Sequence, residues 1–277
     1  MAVARVGISG WRYPPWRGEW YPKGLPQRSE LEYSSSRLNS IELNGSFYSL
    51  QRPANYLSWR DATPEGFVFS VKGGRFVTHL KRLNDVEIPL ANFFASGVLA
   101  LGEKLGPILW QLPERHAFDA EQLKTFFDLL PRTTRQALAL AKKHDARLDD
   151  RDWLQEMPER PLRHALEARH PDFIGTSVAA LLRDHDIAFV VADTAGIWPQ
   201  NREVTSDFVY VRLHGAEELY ASGYTDEALD RWAEDIRVWM DAGLDAYVYF
   251  DNDMKVRAPF DALGLARRLG IRWNLET

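Results

Sequence analysis

The chain has no cysteine among its 277 residues. That absence excludes disulfides, thiolate nucleophiles, cysteine-ligated zinc and iron–sulfur clusters together, so any metal would need histidine and carboxylate ligands. Positive charge is not in excess either. Lys plus Arg number 34 against 39 Asp plus Glu, a net charge of -5, and no global basic field draws the chain to nucleic acid or an anionic membrane. Any anion site must be local. No apolar run approaches the roughly 18 residues of a membrane span, and the first ten residues carry neither the apolar stretch nor the cleavage pattern of a signal peptide. The expectation is a soluble, cytoplasmic protein without a membrane partner. No Gly-x-Gly-x-x-Gly follows any candidate strand, which argues against a dinucleotide fold.

What is present is ordinary globular composition, 45% hydrophobic and 26% charged, enough for a sizeable core. Eight short apolar runs alternate with amphipathic helical stretches: Arg5 to Ser9, Ser40 to Asn44, Phe67 to Lys72, Pro107 to Gln111, His164 to Arg169, Ala188 to Asp193, Phe208 to His214 and Asp245 to Asn252. That rhythm predicts an α/β protein, a (β/α)8 TIM-type barrel spanning 1–277 as a single domain. Leu229, Trp232, Ala233, Ile236, Trp239 and Met240 repeat at helical spacing after Thr225, a fitting N-cap. Asp119 opens a second helix through Leu123, Phe126, Phe127 and Leu130, with Gln122 placed for a capping box, and Ser177 or Thr176 caps Val178 to Leu182. The segments 11–28 and 131–161 read as irregular.

Side chains alternate across a strand, and the polar ones fall on one parity. Ser40, Glu42 and Asn44 oppose Ile41 and Leu43; Ser70 and Lys72 oppose Phe69 and Val71; Tyr210, Arg212 and His214 oppose Val209, Val211 and Leu213. Glu167 and Arg169 share a face, while Ser9, Gln111, Asp193 and Asn252 close the other four runs. All eight strands therefore deliver a polar group to their C-terminal ends, the face on which barrel enzymes carry their active sites. A structural alternative stands beside this reading: Glu42 or Glu167 could simply neutralise Arg212 in a buried ion pair.

Gly7-Ile8-Ser9-Gly10-Trp11, followed by Tyr13, Trp16, Gly18 and Tyr21-Pro22, resembles the opening signature of the YecE-like family (domain of unknown function 72). Further blocks resemble that family in its order: Glu42-Leu43-Asn44-Gly45-Ser46-Phe47-Tyr48, Phe69-Ser70-Val71-Lys72, Thr78-His79-Leu80-Lys81-Arg82-Leu83, Glu167-Ala168-Arg169-His170-Pro171, Val211-Arg212-Leu213-His214-Gly215 and Tyr249-Phe250-Asp251-Asn252. Ile8, Asp172-Phe173 and Asp261 depart from the family's usual Thr, Ser-Trp and Asn. The resemblance covers nearly the whole chain and implies a TIM-type barrel, but it brings no established reaction.

The chemistry must therefore be read from the residues. Carboxylates (Glu42, Glu167, Asp193), cations (Lys72, Arg169, Arg212) and imidazoles (His170, His214) suit a small anionic or hydroxyl-rich ligand, because Arg offers bidentate donors and Lys a point charge. Glu167 is the first choice for general acid or base, Glu42 the second, His214 the proton shuttle and Asp193 a further catalytic carboxylate. Ser9, Trp11, Asn44, Tyr48, Lys72, Gln111, Arg169, His170, Arg212 and Asn252 are the candidate ligand contacts, with Trp11, Tyr13, Phe47 and Tyr48 able to stack on a sugar or a base. Metal-independent hydrolysis or isomerisation fits this set best, with neither metal nor cofactor expected. Glycoside hydrolysis would use two of the carboxylates. Two-metal phosphoester cleavage finds only His214, Glu42, Glu167, Asp193 and His170 to serve it. Arg75, His79, Lys81 and Arg82 form a local basic patch, so the rival class is a nucleic-acid or regulatory binding module without turnover. His116, His144, His164 and His185 read as structural.

Overall fold

The computed structural model describes residues 2–273. Among the described residues the strands are β1 (Ala4–Ser9), β2 (Ser40–Leu43), β3 (Val68–Lys72), β4 (Leu105–Gln111), β5 (His164–Glu167), β6 (Ile187–Phe189), β7 (Val191–Asp193), β8 (Phe208–Leu213) and β9 (Asp245–Phe250). The α-helices are α1 (Glu30–Ser35), α2 (Gly45–Tyr48), α3 (Pro53–Asp61), α4 (Glu87–Ala95), α5 (Ala120–Leu129), α6 (Thr134–Ala141), α7 (Thr176–Asp184), α8 (Asp226–Asp241) and α9 (Ala258–Arg268). The run expected as one sixth strand is two, interrupted at Val190. The second ends at Leu43, earlier than its polarity suggests, because Asn44 has already turned helical (φ -94°, ψ -18°) to open α2, and the fifth ends at Glu167. No helix among the described residues is long and apolar enough to cross a membrane.

The chain divides into two compact units: one built from residues up to Glu42, Thr63–Val68 and residues from Ala188 onward, the other from Leu43–Ala62 and Phe69–Ile187. In the first, β1 lies between β2 and β9, and β8 lies between β9 and β7, every pair parallel. The register sets Ser9 opposite Glu42 and Arg212 opposite Tyr249. Val6, Ile8, Val211, Val248 and Phe250 are buried, as expected of parallel strands covered on both faces. Helix α8 forms as its spacing predicts, with Thr225 Oγ1 accepting from the Ala228 amide at 3.2 Å and Leu229, Trp232, Ala233 and Ile236 buried. Helix α9 packs against α8 and β1.

In the second unit β4 lies between β3 and β5, again in parallel. Asp119 caps α5 through the Gln122 amide at 3.0 Å, but the Gln122 side chain turns to Asn84 at 3.1 Å, so only half of the expected capping box exists. Two expectations are corrected here. The segment read as irregular contains α6, which Thr133 caps through the Gln136 amide (3.2 Å) and which buries Ala137, Leu138 and Ala141. Helix α7 is headed by Gly175 at φ 144°, with no side-chain cap from Thr176 or Ser177, both of which lie inside it. His164 is structural, as expected. Trp110 Nε1 donates to its Nδ1 at 3.1 Å and its Nε2 faces the Pro131 carbonyl at 2.8 Å, while burial pushes its pKa down to about 3.

Gly7 shows how closely β1 and β2 approach, since a Cβ there would land on the Ser40 carbonyl oxygen. Backbone cannot yield as a flexible side chain does. Gly7→Ala should therefore lower the unfolding free energy by about 2 kcal/mol or more, the scale of overpacking, which chemical denaturation would measure; an unchanged value would refute the close approach.

Candidate functional site

In the first unit, Arg212 near the end of β8 has no exposed surface. Its Nη2 donates to Glu42 Oε1 (2.9 Å), Ser9 Oγ (3.1 Å) and Asp251 Oδ2 (2.8 Å), and its Nε to Glu42 Oε2 (3.1 Å). Glu42, equally buried, also accepts from the Ser9 hydroxyl and from Tyr210 OH at 2.6 Å. Both of its oxygens are engaged, so Glu42 holds Arg212 in place. A general base needs a lone pair directed at substrate. Asp251 Oδ2 also lies 3.0 Å from His214 Nδ1.

Beyond β9 a second carboxylate follows. The Tyr13 hydroxyl donates to the Ser9 carbonyl at 2.5 Å and is hydrogen-bonded to Asp253. Burial, then the neighbouring Asp251 charge, push the Asp253 pKa up to about 6, and burial raises that of Tyr13 as well. Trp16 Nε1 holds the Asp253 carbonyl at 3.2 Å.

The other expected residues of this unit brace it. Asn252 donates to Asp261 (2.8 Å) and the Ser222 carbonyl (2.9 Å). Trp11 is buried, and its carbonyl receives the Tyr21 hydroxyl at 2.6 Å. Asp193 is hydrogen-bonded by Tyr224 and borders a cavity of about 480 Å³ with Gln200, Arg202, Arg231 and Trp232.

In the second unit the ends of β3, β4 and β5 contribute Lys72, Gln111 and Glu167. Glu167 Oε1 accepts from Gln111 Nε2 and from Arg169 Nε, each at 3.0 Å. Lys72 Nζ lies 4.3 Å from the centre of the Phe47 ring, whose edge contact with His79 spans 5.1 Å. The Ser46 hydroxyl donates to the Lys72 carbonyl at 2.7 Å, tying α2, which Asn44 heads, to β3. Burial, then the charges of Lys72, Arg169 and Arg75, push the His79 pKa down to about 4, with Glu167 acting in the opposite sense. Tyr48 is 70% exposed. His170 accepts the Asp172 amide at 3.2 Å and so caps the turn Pro171–Phe173. Among the described residues no three His, Asp or Glu side chains form a metal-holding group.

Sequence reading passed over Asp251, Asp253 and the place of His79 beside Lys72 and Arg169. Alternation stops where β9 ends at Phe250, so parity could not place the first two. Their one signal was a pair of carboxylates immediately after a strand.

Parallel strands joined by helices, with ionisable side chains gathered at the strand ends, define a protein of the (β/α)8 TIM-barrel class. The chain belongs to the family described as Protein of unknown function DUF72, which matches residues 5–276. UPF0759 protein YecE of Escherichia coli (strain K12) is 27% identical over 129 residues, 46% of this chain and 44% of that protein. UPF0759 protein YunF of Bacillus subtilis (strain 168) is 30% identical over 116 residues, 39% of each. The chain spans less than half the length of the curated relatives it matches. A DUF72 family protein of known crystal structure from Thermotoga maritima MSB8 is similar over 97% of this chain and 99% of its own, with 26% identity and a TM-score of 0.78.

Two outcomes follow from the first cluster. Glu42→Gln leaves the buried guanidinium poorly compensated and should cost about 3 kcal/mol of stability, read by denaturant unfolding; a loss within error of zero would contradict the ion network. Asp253 holds its proton more tightly folded than unfolded, so the stability it contributes is complete below its ordinary value of 3.8 and is lost as pH rises through about 6. After discounting for partial exposure the loss is roughly 1–2 kcal/mol. The stability difference between the parent and Asp253→Asn should change with pH across that window, and a flat difference would count against the upward shift of Asp253.

Proposed function

We propose that the cluster at the ends of β3, β4 and β5 binds a small anionic or hydroxyl-rich molecule and acts on it as a hydrolase or isomerase by acid–base chemistry, independently of a metal. Lys72 and Arg169 hold the anion, and Glu167, oriented by Gln111 and Arg169, is the acid or base. The observation that carries this reading is the placement of Glu167, whose Oε1 accepts from Gln111 Nε2 and from Arg169 Nε at 3.0 Å each; the charges of Lys72, Arg169 and Arg75, which after burial push the His79 pKa down, are the ones that favour an anion. Glu167 beside Arg169 places a carboxylate and a cation on one ligand in fixed geometry. A cytoplasmic setting belongs to the proposal, since a chain without cysteine loses nothing in a reducing compartment.

The nucleic-acid reading rests on Arg75, Lys81 and Arg82 near His79, and binding through them would weaken steeply with salt.

Inorganic phosphate titrated into the protein should raise the His79 pKa toward its ordinary 6.5, followed by NMR of the imidazole. An imidazole that titrates identically at saturating phosphate would sink the anion site. Any turnover found among phosphate and carboxylate esters should fall by about two orders of magnitude or more in Glu167→Gln, the scale of a lost acid–base group, with Tm nearly unchanged. Loss of folding in that variant would mark Glu167 as structural.

A further inference from the structure

The second-unit cluster does not end at its cations. Phe47 and Tyr48, the last two residues of α2, stand edge to face at 5.1 Å and 86°, and Phe47 makes a matching contact with His79 at 5.1 Å and 84°. Phe47 thus meets Lys72, 4.3 Å from its ring centre, as well as His79 and Tyr48. Phe47 is half-buried, while Tyr48 leaves 70% of its surface in water. A large ring held on a helix that Ser46 ties to the Lys72 carbonyl is not a loose surface side chain. Two ring contacts, through Phe47, link it to His79.

We propose that the ligand of this site is a free nucleoside monophosphate, its phosphate taken by Lys72 and Arg169 and its base stacked on Tyr48. The inference rests on the anion-binding reading above and adds the identity of the rest of the ligand. Charge complementarity selects the phosphate end: Lys72, Arg169 and Arg75 act on His79 together, against the single carboxylate of Glu167. An exposed aromatic ring selects the other end, because stacking a base on an aromatic side chain is favourable and tolerant of base identity. A sugar phosphate would use the cations but offer Tyr48 no planar base.

Calorimetric titration with inorganic phosphate, ribose 5-phosphate and adenosine 5′-monophosphate separates the two levels of the argument. The nucleotide should bind about tenfold or more tightly than ribose 5-phosphate, the scale of one stacked base. Tyr48→Ala should bring the nucleotide down to the ribose 5-phosphate level, and Tyr48→Phe should keep its advantage. Lys72→Met should weaken all three ligands. Equal binding of nucleotide and ribose 5-phosphate would overturn the nucleotide assignment and leave the anion site standing. No binding of phosphate or of either ester would overturn both. A 5′-phosphorylated tetranucleotide that binds more than tenfold more tightly than the mononucleotide would move the ligand to the end of a nucleic-acid strand and overturn the free-nucleotide proposal.

Discussion

A guanidinium with no exposed surface governs the first unit. Burying Arg212 costs several kcal/mol in lost hydration, and that cost is offset only because Glu42 and Asp251 reach it together from the ends of β2 and β9. The requirement acts on the backbone as well as on the side chains. A slip of one residue in β8 would turn Arg212 to the opposite face of the sheet and leave both carboxylates uncovered. The observed registers, Ser9 opposite Glu42 and Arg212 opposite Tyr249, are those in which the ion network closes. The Ser40–Tyr249 hydroxyl contact at 2.6 Å reinforces the same alignment.

From that arrangement comes a division among acidic groups. Glu42 receives donors on both oxygens and is spent on structure. Asp251 is flanked by Arg212 and His214, whereas burial, then the neighbouring Asp251 charge, push the Asp253 pKa up to about 6. Carboxyl groups so close in sequence therefore sit in different electrostatic surroundings.

The second unit solves a different electrostatic problem. Burial, then the charges of Lys72, Arg169 and Arg75, push the His79 pKa down, with Glu167 acting in the opposite sense. Where the Arg212 network is one guanidinium between two carboxylates, the Lys72–Arg169 cluster is the one proposed to take an external anion. Aromatic rings of α2 line its approach, so charge and apolar surface are offered together.

Much of this was legible in the sequence. Apolar runs separated by amphipathic stretches specify alternating strands and helices, and the helix starting after Thr225 needed nothing more, because capping and a 3.6-residue repeat are local properties. Strand parity likewise placed Glu42 and Arg212 on faces where they could meet. Local rules failed where long-range partners decide: Val190 interrupts an apolar run, α6 is held by burial of a modest stripe, and Gly175 heads α7 in place of a hydroxyl. They failed again past the ends of β2, β5 and β9, where alternation no longer fixes direction. The sequence by itself determined the fold class and the inventory of charges at the strand ends. Only the tertiary structure decided which carboxylate is consumed by Arg212, which one burial pushes up in pKa and which cations act on His79, because those outcomes depend on desolvation and on distances of a few ångströms between residues far apart in the chain.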